Sequence, residues 1–145
     1  MIRPLCAEDL NTAVSIWYSA SIKAQNFISE EYWNENYSVV RDQYIPMSNT
    51  YVYVEGDEIK GFISIINEEF IGAVFVDIDC QGKGIGSKLI NHVKEKYDRL
   101  ELAVYKDNEK SVYFYKKVGF EVLREELNDE TNKIEYIMSF KKVLH

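Results

Sequence analysis

The chain has 145 residues but only two cysteines, Cys6 and Cys80, and two prolines. Two thiols without a C-x-x-C spacing make neither a disulfide framework nor a redox motif. No run approaches the roughly 18 apolar residues of a membrane span. The opening Met1-Ile2-Arg3-Pro4-Leu5-Cys6 leads straight into an amphipathic segment, without the apolar core of a signal peptide. Low-complexity runs, repeats and linkers are missing, so residues 1–145 read as one domain, in the cytoplasm, as a monomer or homodimer. Positive charge is scarce: 17 Lys and Arg stand against 24 Asp and Glu, for a net charge of −7. That balance excludes the concentrated basic footprint of a nucleic-acid binder.

What the chain does have is apolar mass. Hydrophobic residues make up 46% and charged residues 28%, which excludes a disordered tail. A domain of this length buries roughly 68–70% of its unfolded surface, enough for a core without staples. Charge is uneven: residues 1–59 carry 3 basic and 9 acidic side chains, whereas residues 83–117 carry 9 basic and 5 acidic ones. One segment can hold an anion while the acidic amino-terminal half favours a cationic partner.

The pattern along the chain alternates strands and helices. Residues 1–5 read as a short strand. Residues 7–24 read as a helix with Leu10, Ala13, Val14 and Trp17 on one face. Ser29 caps a second helix running to about Tyr44, with Glu30 and Glu31 in its first turn. Strands follow over 50–55, 59–66 and 70–78, the last so continuously apolar that it reads as a buried central strand. A helix with Ile85, Leu89, Ile90, Val93 and Tyr97 on one side comes next. A strand over 100–105 leads to a helix over 108–118, capped by Asp107 and closed by Gly119. Two strands, 120–126 and 133–141, end the chain. The order β-α-α-β-β-β-α-β-α-β-β is a mixed α/β fold.

Between the central strand and its helix stands Gln81-Gly82-Lys83-Gly84-Ile85-Gly86-Ser87. Glycines there let a ligand approach the backbone, and the helix N-terminus offers free N–H groups and a positive dipole end, with Lys83 and Lys88 adding charge. The turn is built for phosphate. It is not a Rossmann fingerprint, because Ser87 stands where the third glycine belongs, nor a Walker loop, because the order is Gly86-Ser87-Lys88.

The pattern Gln81-x-x-Gly84-x-Gly86 resembles the signature of the GNAT (Gcn5-related) N-acetyltransferase family. Asn108 followed by Tyr115-Lys116-Lys117-Val118-Gly119-Phe120 is similar to that family's second motif, and the element order matches along the whole chain. Trp17, Phe27-Ile28, Tyr32-Trp33, Val40 to Tyr44 and Asp129-Glu130-Thr131 resemble a small bacterial branch of YiaC-like peptidyl-lysine acetyltransferases. The resemblance implies a twisted, largely antiparallel sheet of about seven strands flanked by about four helices. It implies acetyl-CoA as co-substrate, no metal, and an amine acceptor: a protein lysine or N-terminus, or else a small amine such as a polyamine, amino acid or aminoglycoside. A CoA-binding module without turnover is the reading of another class. In the family pattern the N–H groups of Gln81, Gly82, Lys83, Gly84, Ile85, Gly86 and Ser87 hold the pyrophosphate. Val74, Phe75 and Val76 run beside the pantetheine arm, Asn108 bonds it from the other side, the Val76 N–H polarises the thioester carbonyl, and Tyr115 meets the departing sulfur.

The chemistry sets further requirements. At a reference pKa near 10.4, only about one lysine amine in 2,500 is neutral at pH 7, a deficit of roughly 4.6 kcal/mol. An apolar pocket, a base or a water chain must supply the difference. Family positions that carry a glutamate base hold Phe70 and Ala103 here. Glu101 shares a face with Ala103 but lies about 6.7 Å from it, so deprotonation through water is expected, with Glu101 as the nearest acid. The acceptor is expected against Trp17, Phe27, Trp33 and Tyr37, with Tyr44 and the acids Glu30, Glu31 and Glu35 nearby, an aromatic and acidic wall suited to an alkyl ammonium. Cys80 reads as a small buried residue, and His92 and His145 as surface residues without metal or triad partners.

Overall fold

In Asn49–Glu55 the residues Thr50, Val52 and Val54 are buried while those between them are not, the two-residue period of a strand resting on a core. The computed structural model describes residues 1–143, which leaves His145 outside the described residues. The strands are β1 (Ile2–Pro4), β2 (Asn49–Glu55), β3 (Glu58–Ile66), β4 (Phe70–Val76), β5 (Arg99–Tyr105), β6 (Glu121–Asn128) and β7 (Lys133–Lys141). They form one seven-stranded sheet in the order β1-β2-β3-β4-β5-β7-β6. Every neighbouring pair is antiparallel except β4 with β5. The helices are α1 (Leu10–Ala24), α2 (Glu30–Val39), the short α3 (Ile45–Met47), α4 (Ile85–Lys96) and α5 (Glu109–Lys117).

Each face of the sheet carries a core. On one, Leu89, Ile90 and Val93 of α4 meet Ile63, Leu100, Leu102 and Met138 of the strands. On the other, Val14 and Trp17 of α1 and Trp33 of α2 meet Val52 and Phe62. Each fully buried aliphatic side chain contributes roughly 1.5–3 kcal/mol. The amino terminus is fastened by Asp9, which accepts from Arg3 at 2.7 and 3.2 Å and from the Cys6 N–H at 2.7 Å.

Three local expectations are corrected. Ser29 has the extended backbone of an N-cap, but its hydroxyl makes no capping bond. The α2 helix ends at Val39, and Val40–Tyr44 form a wider π turn. Pro46 follows, lacking the N–H that an α-helix would aim at the Asp42 carbonyl. At α5 the cap is Asn108, not Asp107: the Asn108 side chain accepts from the Ser111 N–H at 3.2 Å. Gly119, at φ +104°, ends α5 as expected. Lys94 reaches across from α4 to donate to the Val118 carbonyl.

Candidate active site

The central strand is not buried as its composition suggests. Of its residues only Ile71 is buried; Ala73 to Val76 are half-buried and Gly72 is exposed. The cause is a bulge. Against β3, Ile71 pairs with Ile65 and Ala73 with Ser64, so Gly72 is an extra residue on β4. A bulge bends its strand and ends pairing, and the β4–β5 ladder stops there, after Phe70↔Glu101 and Ile71↔Leu102. Beyond that point the two strands part, and a cleft of about 990 Å³ passes between them.

The bulge also reverses which backbone groups face the gap. The Asp77 N–H donates to the Lys60 carbonyl of β3 at 2.8 Å. The Val76 carbonyl accepts instead from Gln81 Nε2 at 3.2 Å. Alternation along the strand then turns the N–H groups of Val74 and Val76 toward the cleft, without a strand to receive them. A glycine inside an apolar run is the sequence signal for such a bulge.

The glycine-rich turn forms the cleft wall on the α4 face. Gly82 and Gly84 have φ of +84° and +82°, and a Cβ on either would meet nothing within 4 Å. Left-handed backbone at these positions bares the N–H groups of a turn that ends in the first turn of α4. The first helical bond runs from Lys88 N–H to Gly84. Among the described residues, none of the N–H groups from Gly82 to Ser87 donates to another backbone carbonyl. Gly86 has a different purpose: a Cβ there would press on Phe114 of α5 at 3.2 Å. Lys83 and Lys88 are exposed and stand off the cleft, and the Lys88 ammonium lies 5.6 Å over the Tyr53 ring. Lys110 and Ser111 of α5 line the cleft in their stead.

Asn108 and Tyr115 reach the cleft from α5. Asn108 is buried, and its carbonyl oxygen is committed to the helix cap, which leaves the amide N–H₂ to point outward. Burial pushes the Tyr115 hydroxyl well above the usual phenol range, with no other group acting on it. Cys80 is buried in the same core as α4, as expected, whereas His92 is half-buried beside the Tyr51 ring at 5.2 Å, and burial lowers its pKa.

On the opposite face the cleft is walled by Trp17, Trp33, Tyr32 and Tyr105. Two of the expected aromatics stand behind this wall. Phe27 packs edge-on against Tyr105 at 5.6 Å, and Tyr37 against Trp17 at 6.4 Å. Both support rings that face the cleft and do not face it themselves. Glu30, Glu31 and Glu35 also stand away, on the exposed side of α2. The acids that line the cleft are Glu130 and Glu135, from the carboxy-terminal hairpin, because β7 lies against β5 and sets Glu135 opposite Tyr105. Tyr32 donates to Glu130 at 2.9 Å. Asn128 Nδ2 donates to both Tyr105 Oη and Glu135 at 3.3 Å. Burial raises the pKa of Glu135, opposed by the Asn128 bond. Glu101 is not part of this wall: it sits where β4 and β5 still pair, 3.4 Å from Arg99. Phe70 and Ala103 do line the cleft, and both are apolar.

A family model described as an acetyltransferase (GNAT) domain matches residues 19–138. Peptidyl-lysine N-acetyltransferase YiaC of Escherichia coli (strain K12) is 31% identical over 143 residues, spanning 99% of this chain and 98% of that one. Peptidyl-lysine N-acetyltransferase YjaB of the same organism is 35% identical over 124 residues, spanning 84% and 83%. The solution structure of apo-form YjaB from Escherichia coli superposes with a TM-score of 0.86 at 29% identity, covering 99% of this chain and 98% of that one.

Proposed function

The chain belongs to the GNAT family of N-acetyltransferases, and from that premise we propose that it moves an acetyl group from acetyl-CoA, by direct attack, to the side-chain amine of a protein lysine. The observation that carries the reading is the break between β4 and β5 beside a turn of unpaired N–H groups. A phosphate-bearing acyl thioester matches both parts at once. Its pyrophosphate suits the bared N–H groups from Gly82 to Ser87, with Lys110 and Ser111 beside them. Its pantetheine amides suit the free edge of Val74, Phe75 and Val76, with the Asn108 amide donating from the N-cap of α5 on the other side.

In this reading the Val76 N–H donates to the thioester carbonyl oxygen and to the oxyanion that replaces it. The amine forms the new C–N bond, the C–S bond breaks, and sulfur leaves as a thiolate. A thiol titrates near 8.5 and a phenol near 10, so full proton transfer from an ordinary tyrosine is already uphill by about 2 kcal/mol. Burial raises the Tyr115 hydroxyl further. Tyr115 therefore steadies the thiolate through a hydrogen bond and keeps its own proton. The lysine acceptor follows from relatives named as peptidyl-lysine acetyltransferases that span 98% and 83% of their lengths in alignment with this chain. The same reading takes no metal and places one such domain in a bacterial cytoplasm, as a monomer or homodimer.

The test is thiol release and mass gain of one acetyl group, with acetyl-CoA and a panel of lysine peptides, peptide N-termini, polyamines and aminoglycosides. Lysine peptides are expected to be acetylated fastest. Preference for a polyamine or aminoglycoside would replace the acceptor. Binding of CoA without thiol release from any amine would make the protein a CoA-binding module.

A further inference from the structure

The amine has to lose a proton before it attacks, and the two positions where a base is expected are Phe70 and Ala103. Only Glu130 and Glu135 bring carboxylates to the cleft wall among the described residues. Glu130 is exposed and already accepts from Tyr32 at 2.9 Å. Glu135 is half-buried, and no lysine or arginine among the described residues pairs with it. Its one hydrogen bond comes from Asn128, at 3.3 Å. The direction of that amide is fixed, because Asn128 Oδ1 accepts from the N–H groups of Glu130 and Thr131 at 2.9 and 3.2 Å. Nδ2 is thereby aimed at Tyr105 and Glu135, and one carboxylate oxygen of Glu135 is left over.

A second observation places a ligand on the same side. Trp33 is 6% exposed and lines the cleft, and its indole N–H has no partner; the buried Gln25 Oε1, also on the cleft, has none either. Buried polar groups are nearly always bonded. A donor for a carbonyl and an acceptor for an N–H are what a peptide backbone would satisfy together; a simple alkyl ammonium, a donor only, would leave the Trp33 N–H unpaired.

We propose that Glu135 is the acceptor-side catalytic residue: its carboxylate pairs with the incoming lysine ammonium and takes the proton that frees the amine for attack. This rests on the acetyltransferase reading above. In water the two reference values lie about six pH units apart. Removing water raises the carboxylate and lowers the ammonium, so both move toward transfer as the cleft fills. The groups around Glu135 favour this. Tyr105 on β5 and Glu126 on β6 flank it in register. Glu126 is held by Arg124 at 3.0 Å, Lys106 is held by Glu125 at 2.9 Å, and Tyr32 of α2 is held by Glu130. Among the described residues no ion pair reaches Glu135; the cations on the cleft wall are Lys23 of α1 and Lys110 of α5. Of the two protons the ammonium loses in becoming an amide, the first passes to Glu135 and then to solvent. The second passes from the nitrogen to the thiolate once the C–S bond has broken, so that CoA is released as the thiol.

The experiment uses acetyl-CoA, a blocked lysine peptide, and kcat/KM measured from pH 5 to 10. The wild type is expected to show a plateau between the ionisation of Glu135 and that of the amine. Glu135→Gln is expected to abolish the plateau, so that the rate climbs tenfold per pH unit up to the amine's own pKa, with a loss on the order of 100-fold at pH 6. Its Tm at pH 7 should equal or exceed the wild type's, and its stabilisation by acetyl-CoA should be unchanged, which a merely structural role would not give. Glu135→Asp should keep the plateau at a lower rate. A wild-type profile without a plateau, or Glu135→Gln within threefold of wild type at pH 6, overturns the proposal and leaves the acetyltransferase reading standing. Absence of thiol release from the wild type would overturn that reading instead.

Discussion

Gln81 donates from Nε2 to the carbonyl of Val76 at 3.2 Å, tying the first residue of the glycine-rich turn to the last residue of β4. The phosphate end and the oxyanion end of the proposed site are thus set by one contact, so seating the pyrophosphate fixes where the thioester carbonyl meets the Val76 N–H.

Gly84→Asp puts a carboxylate and a strained φ of +82° where the phosphates are expected. With wild type, CoA at 100 times its Kd should stabilise the fold by about 2.7 kcal/mol. The variant is expected to lose that thermal shift while Gly84→Ala retains part of it. An undiminished shift in Gly84→Asp would move the site elsewhere.

Tyr115→Phe removes one hydroxyl from a cleft that otherwise keeps its shape. CoA affinity should hold while kcat falls 10- to 100-fold, about 1.4–2.7 kcal/mol. Because burial holds the hydroxyl above its ordinary range, the wild-type rate should show no tyrosine ionisation on its basic side up to pH 10. A basic limb that vanishes in the phenylalanine variant would contradict this.

Glu101→Gln should leave turnover within threefold. The residue sits below the point where the strands part, and its contact with Arg99 at 3.4 Å is a partly exposed pair worth about 0–1 kcal/mol. A 100-fold loss with folding and CoA binding intact would bring Glu101 into the mechanism.

Asp9→Asn should cost about 1–3 kcal/mol at pH 7, since Asp9 answers both Arg3 and the Cys6 N–H. The hydrogen bond from Arg3, opposed by burial, holds the Asp9 carboxyl below the usual range. Its contribution is therefore complete above the unfolded pKa of about 3.9 and is lost as pH falls through the folded value. Urea midpoints for wild type and variant should converge below pH 4; a constant gap down to pH 2 would refute the ionic origin.

How far the sequence could be read depended on whether its signal was local. The α4 helix was legible because Ile85, Leu89, Ile90 and Val93 repeat at helical spacing behind a glycine-rich turn, and all four are buried. The cap of α5 was missed by one residue because Asp107 and Asn108 are both good caps and only backbone geometry chooses. The run Phe70 to Val76 is apolar on both faces, so its alternation carries no phase, and Gly72 is the one mark of the bulge in the sequence. Phe27 and Tyr37 have the right composition for an acceptor wall, but the turn after α1 and the rotation of α2 decide which rings face the cleft and which brace them. Glu135 lay furthest from reach. Its place beside Tyr105 depends on β7 pairing with β5 ahead of β6, a choice of sheet order made by distant elements.

The bulge at Gly72 carries a cost in resilience. Straightening β4 would add ladder bonds to β5 and give a firmer, more cooperative sheet, and the same change would seal the cleft in which acetyl transfer is proposed. Selection for heat tolerance alone would favour that closure. The protein keeps a seam in the middle of its sheet because a stronger one would leave no room for catalysis, and variants evolved for thermostability should gather everywhere but along this seam.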